Sequence, residues 1–501
     1  MHSLWLDTAQ EIPVDTYSGQ TGFDSVVAGA GLTGLATAVL LARAGHRVAV
    51  AEARSVGAAT TGNTTAKVSL LQGSQLSRIA NHHDSGTAAA YVAAQREAQA
   101  WILRYCDEHR VGYDRRDAFT YATTPQGAED LAAEQRASES AGLPVENVSG
   151  AGELPCEVAG LLRLADQAQI HPMHLLAALV AELRSRGGLV FEGMRVTGIG
   201  RADDGGAGAG PRNITVRTGL GDIKTGMLVL ATGTPMLNRG GHFSVLKPMR
   251  SYAAALTVPG RIPSGMYLSI DAPTRSLRTA RHGDREVLLV GGNGHVVGRH
   301  GHTRGLVDDL LRWTQQHFPG AQPTHTWSAQ DYEPAGAVPY VGPILPGEKR
   351  IMVATGFNKW GMTNGVAAAL ALSASILGGD NHWAKDLYKS RISGRDAAST
   401  AGTNLSVGLE LLSGWLGGLT RTTHAAPPEG QGTVVRENSR PVGICTVDSA
   451  THRVSAICTH LGGVLSWNDA EGSWDCPLHG SRFSADGKVL EGPAVKDLDA
   501  R

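Results

Sequence analysis

The sequence Ser25-Val26-Val27-Ala28-Gly29-Ala30-Gly31-Leu32-Thr33-Gly34 joins an apolar run to a G-x-G-x-x-G motif. It predicts a buried strand, a tight turn and a helix through Ala44, and residues 47–51 predict a second strand that ends at Glu52. In this setting the glycines bring a pyrophosphate close to the helix N-terminus, and Glu52 is placed to accept the ribose hydroxyls. The pattern predicts a dinucleotide site without choosing between NAD and FAD, and a glycine-rich turn with no ligand is the alternative. The predicted site residues are Gly29, Gly31, Leu32, Thr33, Gly34, Glu52, Ala53 and Arg54.

A loop of small residues over 57–67 follows the second strand. Such a loop lets a flavin lie along the backbone, so it favours FAD. The predicted cofactor contacts in it are Thr64, Thr65, Ala66 and Lys67.

Composition limits the possible classes of protein. A chain of 501 residues with 64 Gly and 42% hydrophobic residues has room for a large core and two or three domains. Because 45 Lys and Arg balance 46 Asp and Glu, nothing favours nucleic acid or an anionic membrane as a partner. Five Cys without a framework spacing argue against a secreted disulfide scaffold. Residues 1–20 lack a leader pattern and no apolar run reaches about 18 residues, so we expect a cytoplasmic protein with no membrane span.

Two mixed pairs of metal ligands lie near the C-terminus, Cys458-Thr459-His460 and Cys476-Pro477-Leu478-His479. Two thiolates and two imidazoles, one of each on either loop, are the ligands of a Rieske 2Fe-2S centre. Zinc is the main alternative, but zinc fingers usually separate a Cys pair from a His pair. We therefore predict that Cys458, His460, Cys476 and His479 hold a 2Fe-2S cluster.

Residues 429–501 as a whole resemble a Rieske domain, in which Gly492-Pro493-Ala494 is similar to the proline loop over the cluster. High-potential respiratory Rieske proteins carry an extra disulfide, where this chain has Gly463 and Leu478, and a tyrosine near the cluster, where it has Phe483. Because fewer hydrogen bonds to sulfur lower the reduction potential, we expect a potential in the lower part of the Rieske range.

Residues 350–365 read as a strand, a glycine turn and a helix start, after helical spacing over 87–110, 126–141 and 171–186. Here the chain resembles the D-amino-acid oxidase-like flavoproteins, and more narrowly the FAD-dependent oxidoreductases with a C-terminal Rieske domain. The resemblance implies an α/β (α+β) Rossmann-like FAD-binding domain, an antiparallel-sheet substrate domain and a small all-β Rieske domain. The implied boundaries are 1–390 for the flavoprotein (FAD-binding parts 20–77, 171–235 and 335–380; substrate parts 78–170 and 236–334), 391–428 for a linker with an apolar helix over 405–419, and 429–501 for the Rieske domain.

The same resemblance assigns further FAD contacts. It implies that Val196 lies against the adenine, that Thr232 and Gly233 close the other side of the cofactor, and that the final turn faces the isoalloxazine ring. The turn residues are Gly356, Gly361, Met362 and Thr363. Many relatives have Gly-His-Gly where this chain has Lys359-Trp360-Gly361, so the residue nearest the flavin edge differs from theirs, and Lys359 and Trp360 are candidate catalytic residues.

Three more residues are candidates for catalysis. Arg275 or Arg278 is suited to pair with a substrate carboxylate, or else has a structural role. His295 is suited to proton transfer, or else is a satisfied structural histidine.

Together these features predict an FAD-dependent dehydrogenase that oxidises a C–N bond of a small amine or amino acid. Electrons would then pass one at a time to the cluster and to an external carrier. Two alternatives stay open: the reverse flow, in which the cluster receives electrons for a reductase or oxygenase reaction, and a redox sensor without turnover.

Overall fold

The computed structural model describes residues 1–201, 214–237, 239–388 and 426–501. The apolar helix predicted over 405–419 and most of the predicted linker 391–428 lie outside these ranges. The helices are α1 (Leu4–Asp7), α2 (Leu32–Arg43), α3 (Gln75–His82), α4 (Ser85–His109), α5 (Pro125–Ser140), α6 (Pro172–Ser185), α7 (His242–Val245), α8 (Thr303–His317), α9 (Gly361–Ile376) and α10 (His382–Tyr388). The strands are β1 (Phe23–Ala28), β2 (Val48–Ala51), β3 (Lys67–Val68), β4 (Tyr113–Ala122), β5 (Glu146–Asn147), β6 (Gly160–Ile170), β7 (Leu189–Phe191), β8 (Val196–Arg201), β9 (Ile214–Thr218), β10 (Ile223–Leu230), β11 (Leu246–Thr257), β12 (Met266–Ser269), β13 (Arg275–His282), β14 (Arg285–Val296), β15 (Gln322–Pro334), β16 (Tyr340–Pro343), β17 (Ile351–Thr355), β18 (Gly432–Glu437), β19 (Arg440–Val447), β20 (Ala450–Ser455), β21 (Ser466–Asn468), β22 (Ser473–Asp475), β23 (Arg482–Ser484) and β24 (Val489–Glu491).

The first sheet is built on parallel strands in the order β17-β10-β1-β2-β7, with β16, β8 and β9 added antiparallel. Its central strands are buried on both faces, as expected when helices cover a parallel sheet. Helix α2 packs between α6 and α9, and almost all its side chains are buried. The predicted Rossmann-like arrangement is confirmed, with the turn of the first motif at the carboxyl end of β1.

The second sheet has nine strands in the order β15-β11-β14-β13-β12-β4-β6-β3, with β5 beside β6. All neighbours pair antiparallel except β12 and β4. Its strands come from two separate parts of the chain, 67–170 and 246–334, which the helices and strands of the first sheet separate. The predicted antiparallel sheet is therefore confirmed, and it faces the first sheet across a cavity.

Helices α4 and α5 begin and end where their sequences favour it. Asp84 accepts the N–H of Thr87 at 2.8 Å to cap α4, and Arg110 ends that helix in the left-handed conformation. Thr124 caps α5 with Pro125 at the first helical position. Helix α4 then packs on α9 and α10, which covers the outer side of the flavoprotein part. Within the part of the chain that the structure describes, none of the helices combines the length and the apolar character needed to cross a bilayer.

The C-terminal part is a small all-β unit. It holds a three-stranded antiparallel sheet β18-β19-β20 and a four-stranded antiparallel sheet β21-β22-β23-β24. The fully buried rings of Trp474 and Phe483 form its centre, and a side chain added at Gly443 would contact Trp474. The two loops with the Cys/His pairs leave this unit side by side.

Candidate functional site

A cavity of about 520 Å³ lies where the two sheets meet. Residues of both sheets line it, and so do residues 490–495 of the C-terminal unit. The predicted cofactor residues that line it are Gly29, Gly31, Leu32, Thr33, Glu52, Ala53, Arg54, Thr64, Thr65, Lys67, Val196, Thr232, Gly233, Gly361 and Met362. Residues from six separate segments of the chain thus converge on one cavity.

No side chain fits at Gly29 in the turn before α2. A Cβ on Gly29 would lie 2.5 Å from the carbonyl oxygen of Ala231, and Gly29 also has φ +106°. Gly31, Leu32 and Thr33 line the cavity, so the positive end of the α2 helix dipole lies beside it. The turn therefore fits the pyrophosphate of FAD.

Glu52 is held in the orientation that a ribose contact needs. Its carboxylate accepts the N–H of Ala30 and the N–H of Arg54, both at 2.8 Å. Each carboxylate oxygen of Glu52 can still accept a further hydrogen bond. The residues present thus fit both halves of a dinucleotide.

Four predicted cofactor residues lie behind the cavity wall. A Cβ on Gly34 would lie 1.9 Å from the carbonyl oxygen of Gly29, so Gly34 allows α2 to approach β1 closely. Ala66 and Gly356 adopt positive φ, at 52° and 80°. Thr363 accepts a hydrogen bond from the side chain of Gln72 at 3.1 Å. These residues shape the wall, and direct contact with FAD stays a prediction for them.

Arg275, Arg278 and His295 do not line the cavity. Arg275 donates to Asp309 at 2.6 Å and to Asn293 at 2.7 Å, and Arg278 donates to the carbonyl oxygens of Thr65 and Ala66 at 2.7 and 2.9 Å. Both guanidinium groups are therefore used inside the protein, as the structural alternative expected.

His295 has a packed position as well. Its ring stacks on that of Tyr252 with centroids 5.6 Å apart, and burial lowers its pKa. A half-buried histidine stacked on an aromatic ring fits the structural alternative for this residue.

Lys359 and Trp360 do line the cavity, next to a carboxylate that the sequence did not single out. The backbone N–H of Lys359 donates to the side chain of Asp331. Burial raises the pKa of Asp331 to about 6. The end of β15 therefore presents a carboxylate whose ionisation is in the range useful for proton transfer.

Lys67 is a buried cation in the same cavity. Its Nζ donates to the carbonyl oxygen of Tyr267 and to Oγ of Ser276, each at 2.7 Å. Burial and the charge of Arg278 lower its pKa to about 7. In the described ranges no carboxylate lies within ion-pair distance of Lys67, which makes its third N–H available to an anionic ligand.

The four predicted cluster ligands come together. The rings of His460 and His479 lie 5.1 Å apart, and Cys458 and Cys476 are both buried in the same cluster of side chains. Nδ1 of His479 is buried and has no hydrogen-bond partner among the described residues, as expected for a nitrogen whose partner is a metal. The donor set of two thiols and two imidazoles fits a Rieske cluster.

Backbone hydrogen bonds close both ligand loops. The N–H of Cys458 donates to Gly463, and the N–H of Cys476 donates to Ser481, each at 2.8 Å. Ser481 Oγ in turn accepts the N–H of Ala494 at 3.0 Å, which fixes the proline loop over the centre. A Cβ on Gly463 would lie 2.7 Å from Leu478, so these two residues pack together where respiratory Rieske proteins have a disulfide.

The second ligand loop packs directly on the flavoprotein part. Gln330 on β15 lines the cavity and donates to the carbonyl oxygen of Gly480 at 2.8 Å, beside the ligand His479. The ring of Phe243 meets that of His479 edge-on with centroids 5.5 Å apart. The predicted flavin cavity and the predicted cluster are thus separated by little more than the side chain of Gln330 and the loop 490–495.

A buried network of charges joins the two parts. Arg250 on β11 donates to both oxygens of Glu471, at 2.5 and 2.6 Å, and lies 3.6 Å from Glu491. Arg482 donates to Glu471 at 2.8 Å and to Asp475 at 3.0 Å. Burial would raise the pKa of Glu471, but Arg250 and Arg482 outweigh it and hold that pKa well below its usual range. The sequence did not single out this network, because Arg250 lies 221 residues before Glu471, its main partner.

Comparison with known proteins gives two family matches. The model of FAD dependent oxidoreductases matches residues 24–375, and that of the Rieske [2Fe-2S] domain matches residues 423–500. The Rieske 2Fe-2S iron-sulfur protein YhfW of Bacillus subtilis is 31% identical over 486 residues, which cover 95% of this chain and 93% of that protein. The cytochrome b6-f iron-sulfur subunit 1 of Nostoc is 56% identical over 45 residues, which are 9% of this chain and 25% of that subunit.

Solved structures match the flavoprotein part. Glycine oxidase from Geobacillus kaustophilus has a TM-score of 0.61 and 19% identity, covering 75% of this chain and 100% of its own. L-proline dehydrogenase from P. horikoshii has a TM-score of 0.59 and 17% identity, covering 74% of this chain and 96% of its own. At this identity the two structures establish the fold of the flavoprotein part.

Proposed function

The chain belongs to the FAD-dependent oxidoreductase family and carries a C-terminal Rieske [2Fe-2S] domain, and from this we propose that it is a dehydrogenase of small amines or amino acids. In the proposed reaction a C–N bond is oxidised to an imine. The two electrons then leave singly through the Rieske domain to an external electron carrier.

The two cofactors supply complementary chemistry, since FAD accepts a hydride and a 2Fe-2S cluster carries one electron at a time. Oxidation of an amine to an imine removes one hydride and one proton from the substrate. The protein must therefore bind the substrate near the flavin site, accept the proton and give the electrons a short path outward.

The observation that carries the proposal is the shared wall between the two centres. Residues 490–495 line the flavin cavity, and the same loop is hydrogen-bonded to Ser481 beside the second ligand loop. Gln330 touches both sides, since it lines the cavity and donates to Gly480. This arrangement supports direct electron exchange between the centres of one chain.

Two cavity residues support an amino acid as the substrate. Lys67 offers a buried N–H without a carboxylate partner among the described residues, which suits a substrate carboxylate. Asp331 has a pKa raised to about 6 by burial, which suits it to accept the proton of a substrate ammonium group. By their names, the two structural neighbours reported above, a glycine oxidase and an L-proline dehydrogenase, act on amino acids.

An anaerobic titration tests the proposal. Purified protein with both cofactors is mixed with secondary amines and amino acids, while flavin absorbance and the electron paramagnetic resonance of the cluster are followed together. We expect one class of substrate to bleach the flavin and then to produce the reduced-cluster signal.

The variant Gln330→Leu tests the path between the flavin site and the cluster. It should slow the appearance of the cluster signal while flavin bleaching keeps its rate. If no substrate bleaches the flavin but a reduced carrier fills the cluster and then the flavin, electron flow is the reverse and the amine assignment fails. If neither route gives turnover, the proposed dehydrogenase reaction fails and the redox-sensor alternative takes its place.

A further inference from the structure

A second group of metal-binding side chains lies on the outer end of the nine-stranded sheet, away from both cofactor sites. Asp7 ends α1, His282 ends β13 and His325 lies on β15. One ligand atom from each of these residues lies within 4.8 Å of the other two. Nε2 of His2 lies 3.9 Å from the carboxylate of Asp7, so a fourth ligand is at hand.

The backbone holds His2 in this place. Its N–H donates to the carbonyl oxygen of Thr326 at 2.9 Å, which pairs the start of the chain with the strand of His325. The rings of His282 and His325 lie 5.1 Å apart, nearly perpendicular. His2, His282 and His325, each from a different part of the chain, therefore present their imidazoles to the carboxylate of Asp7.

The contacts around His325 leave room for a metal ion between it and Asp7. The hydroxyl of Thr324 contacts the carbonyl oxygen of Ala255 at 3.1 Å and Nδ1 of His325 at 2.9 Å, and when it donates to Ala255 its oxygen accepts from Nδ1. In the neutral ring Nε2 then carries a lone pair, and it faces a carboxylate oxygen of Asp7 at 3.2 Å. Two lone pairs at this distance repel each other unless a proton or a metal ion lies between them.

We propose that Asp7, His282 and His325 bind a divalent transition metal, zinc in the first place, with His2 as the fourth ligand. Imidazole and carboxylate are zinc ligands, and four ligands complete its tetrahedral site. Thr324 is a positioning residue, because its hydrogen bond to Nδ1 sets which nitrogen of His325 is free to bind.

The metal would act on the flavin site through α1. Trp5 in this helix donates from its indole to the carbonyl oxygen of Thr64 at 2.6 Å, and Ser3 donates to that of Gly62 at 2.6 Å. Thr64 lines the flavin cavity. Fixing Asp7 to the sheet therefore stabilises the loop 57–67, and we expect bound zinc to slow the loss of FAD.

The test uses untagged protein that contains FAD and a full complement of cluster iron, so that its ligand thiolates are occupied. After brief treatment with a weak chelator, zinc is added and its binding is measured by equilibrium dialysis with elemental analysis. X-ray absorption at the zinc edge reads the ligand type, since zinc–sulfur distances are about 2.3 Å and zinc–nitrogen distances about 2.0–2.1 Å. We expect one zinc per chain with nitrogen and oxygen ligands only.

Single substitutions test whether zinc binds at this group of residues. His325→Asn and His282→Asn should weaken zinc binding by at least about tenfold, and Thr324→Val by about tenfold. His382→Asn removes an exposed histidine of α10, outside the group, and should leave the affinity unchanged. If His325→Asn fails to fold, Asp7→Asn on the exposed end of α1 tests the same ligand set, and it too should bind zinc at least about tenfold more weakly.

Three results would overturn the proposal. The first is less than one zinc per chain in the unaltered protein, which leaves a protonated His325 as the cation beside Asp7. The second is sulfur in the zinc shell. The third is equal zinc affinity in Asp7→Asn, His282→Asn and His382→Asn. A faster loss of FAD on zinc removal in the unaltered protein, but not in Asp7→Asn, would support the link through α1.

Discussion

Replacing Arg250 by methionine should loosen the Rieske domain from the flavoprotein part. Arg250 is 2% exposed and forms a two-point ion pair with Glu471, at 2.5 and 2.6 Å. Arg250→Met leaves Glu471, Glu491 and Asp475 to share the ion pairs of Arg482. Breaking a buried pair by removal of one partner costs about 3–5 kcal/mol.

Hydrogen exchange of the native protein measures this cost. Because each 1.4 kcal/mol is a factor of ten, amides that exchange by opening of the interface should exchange about a hundredfold to a few thousandfold faster. The informative peptides cover 246–257 and 471–482, on the two sides of the interface. Under anaerobic conditions the cluster stays intact during the measurement.

Arg304→Met is the matched control. Arg304 also reaches across the interface, to the carbonyl oxygen of Asp469 at 3.3 Å, but this contact is exposed and should be worth at most about 1 kcal/mol. The double variant Arg250→Met with Glu471→Gln should recover part of the lost protection, because it removes one unpaired charge. Equal exchange in Arg250→Met and Arg304→Met would refute the assignment of the network as the main link between the two parts.

Three further variants address the cofactor sites. Lys67→Met should weaken binding of carboxylate ligands, read from the flavin spectrum, by at least about tenfold, because a charged hydrogen bond contributes about 1.5–3 kcal/mol. In the unaltered protein the same affinity should fall as the pH rises through about 7, where Lys67 loses its proton, and a flat profile would contradict its role. In the unaltered protein the rate of flavin reduction should rise with pH near 6, since only ionised Asp331 accepts a proton. Asp331→Asn should remove this rise, and an unchanged profile would exclude Asp331 as the base. His460→Ala combined with His479→Ala should abolish the cluster signal and leave FAD bound, so loss of both cofactors would show that the two centres do not form independently.

Local sequence patterns predicted the first strand-turn-helix unit and the cluster loops, and the family resemblance implied the rest of the fold. The strand, turn and helix around Gly29 follow from neighbours along the chain, and the ligand loops around His460 and His479 need only short spacings. These features depend on interactions between neighbours in the sequence, because a glycine turn, a helix cap or a Cys/His pair is complete within a few residues.

Contacts between distant parts of the chain were not predictable in the same way. Arg278 and its acceptor Thr65 are 213 residues apart, and no periodicity indicates that the guanidinium is used by a backbone carbonyl. The same holds for Asp331, whose importance comes from burial beside Lys359. Lys359 and Trp360, where the chain departs from the Gly-His-Gly of many relatives, both line the cavity, and their catalytic role stays a prediction.

The loop 490–495 has a consequence for how the protein can be divided. A chain shortened before residue 429 would lose these six residues of the cavity lining, and Arg250 would lose both Glu471 and Glu491. Such a fragment would leave the cavity open where residues 490–495 now line it. Deleting the Rieske domain therefore does not yield a simple flavoenzyme for comparison, and point variants in the ligand loops are the cleaner way to separate the two activities.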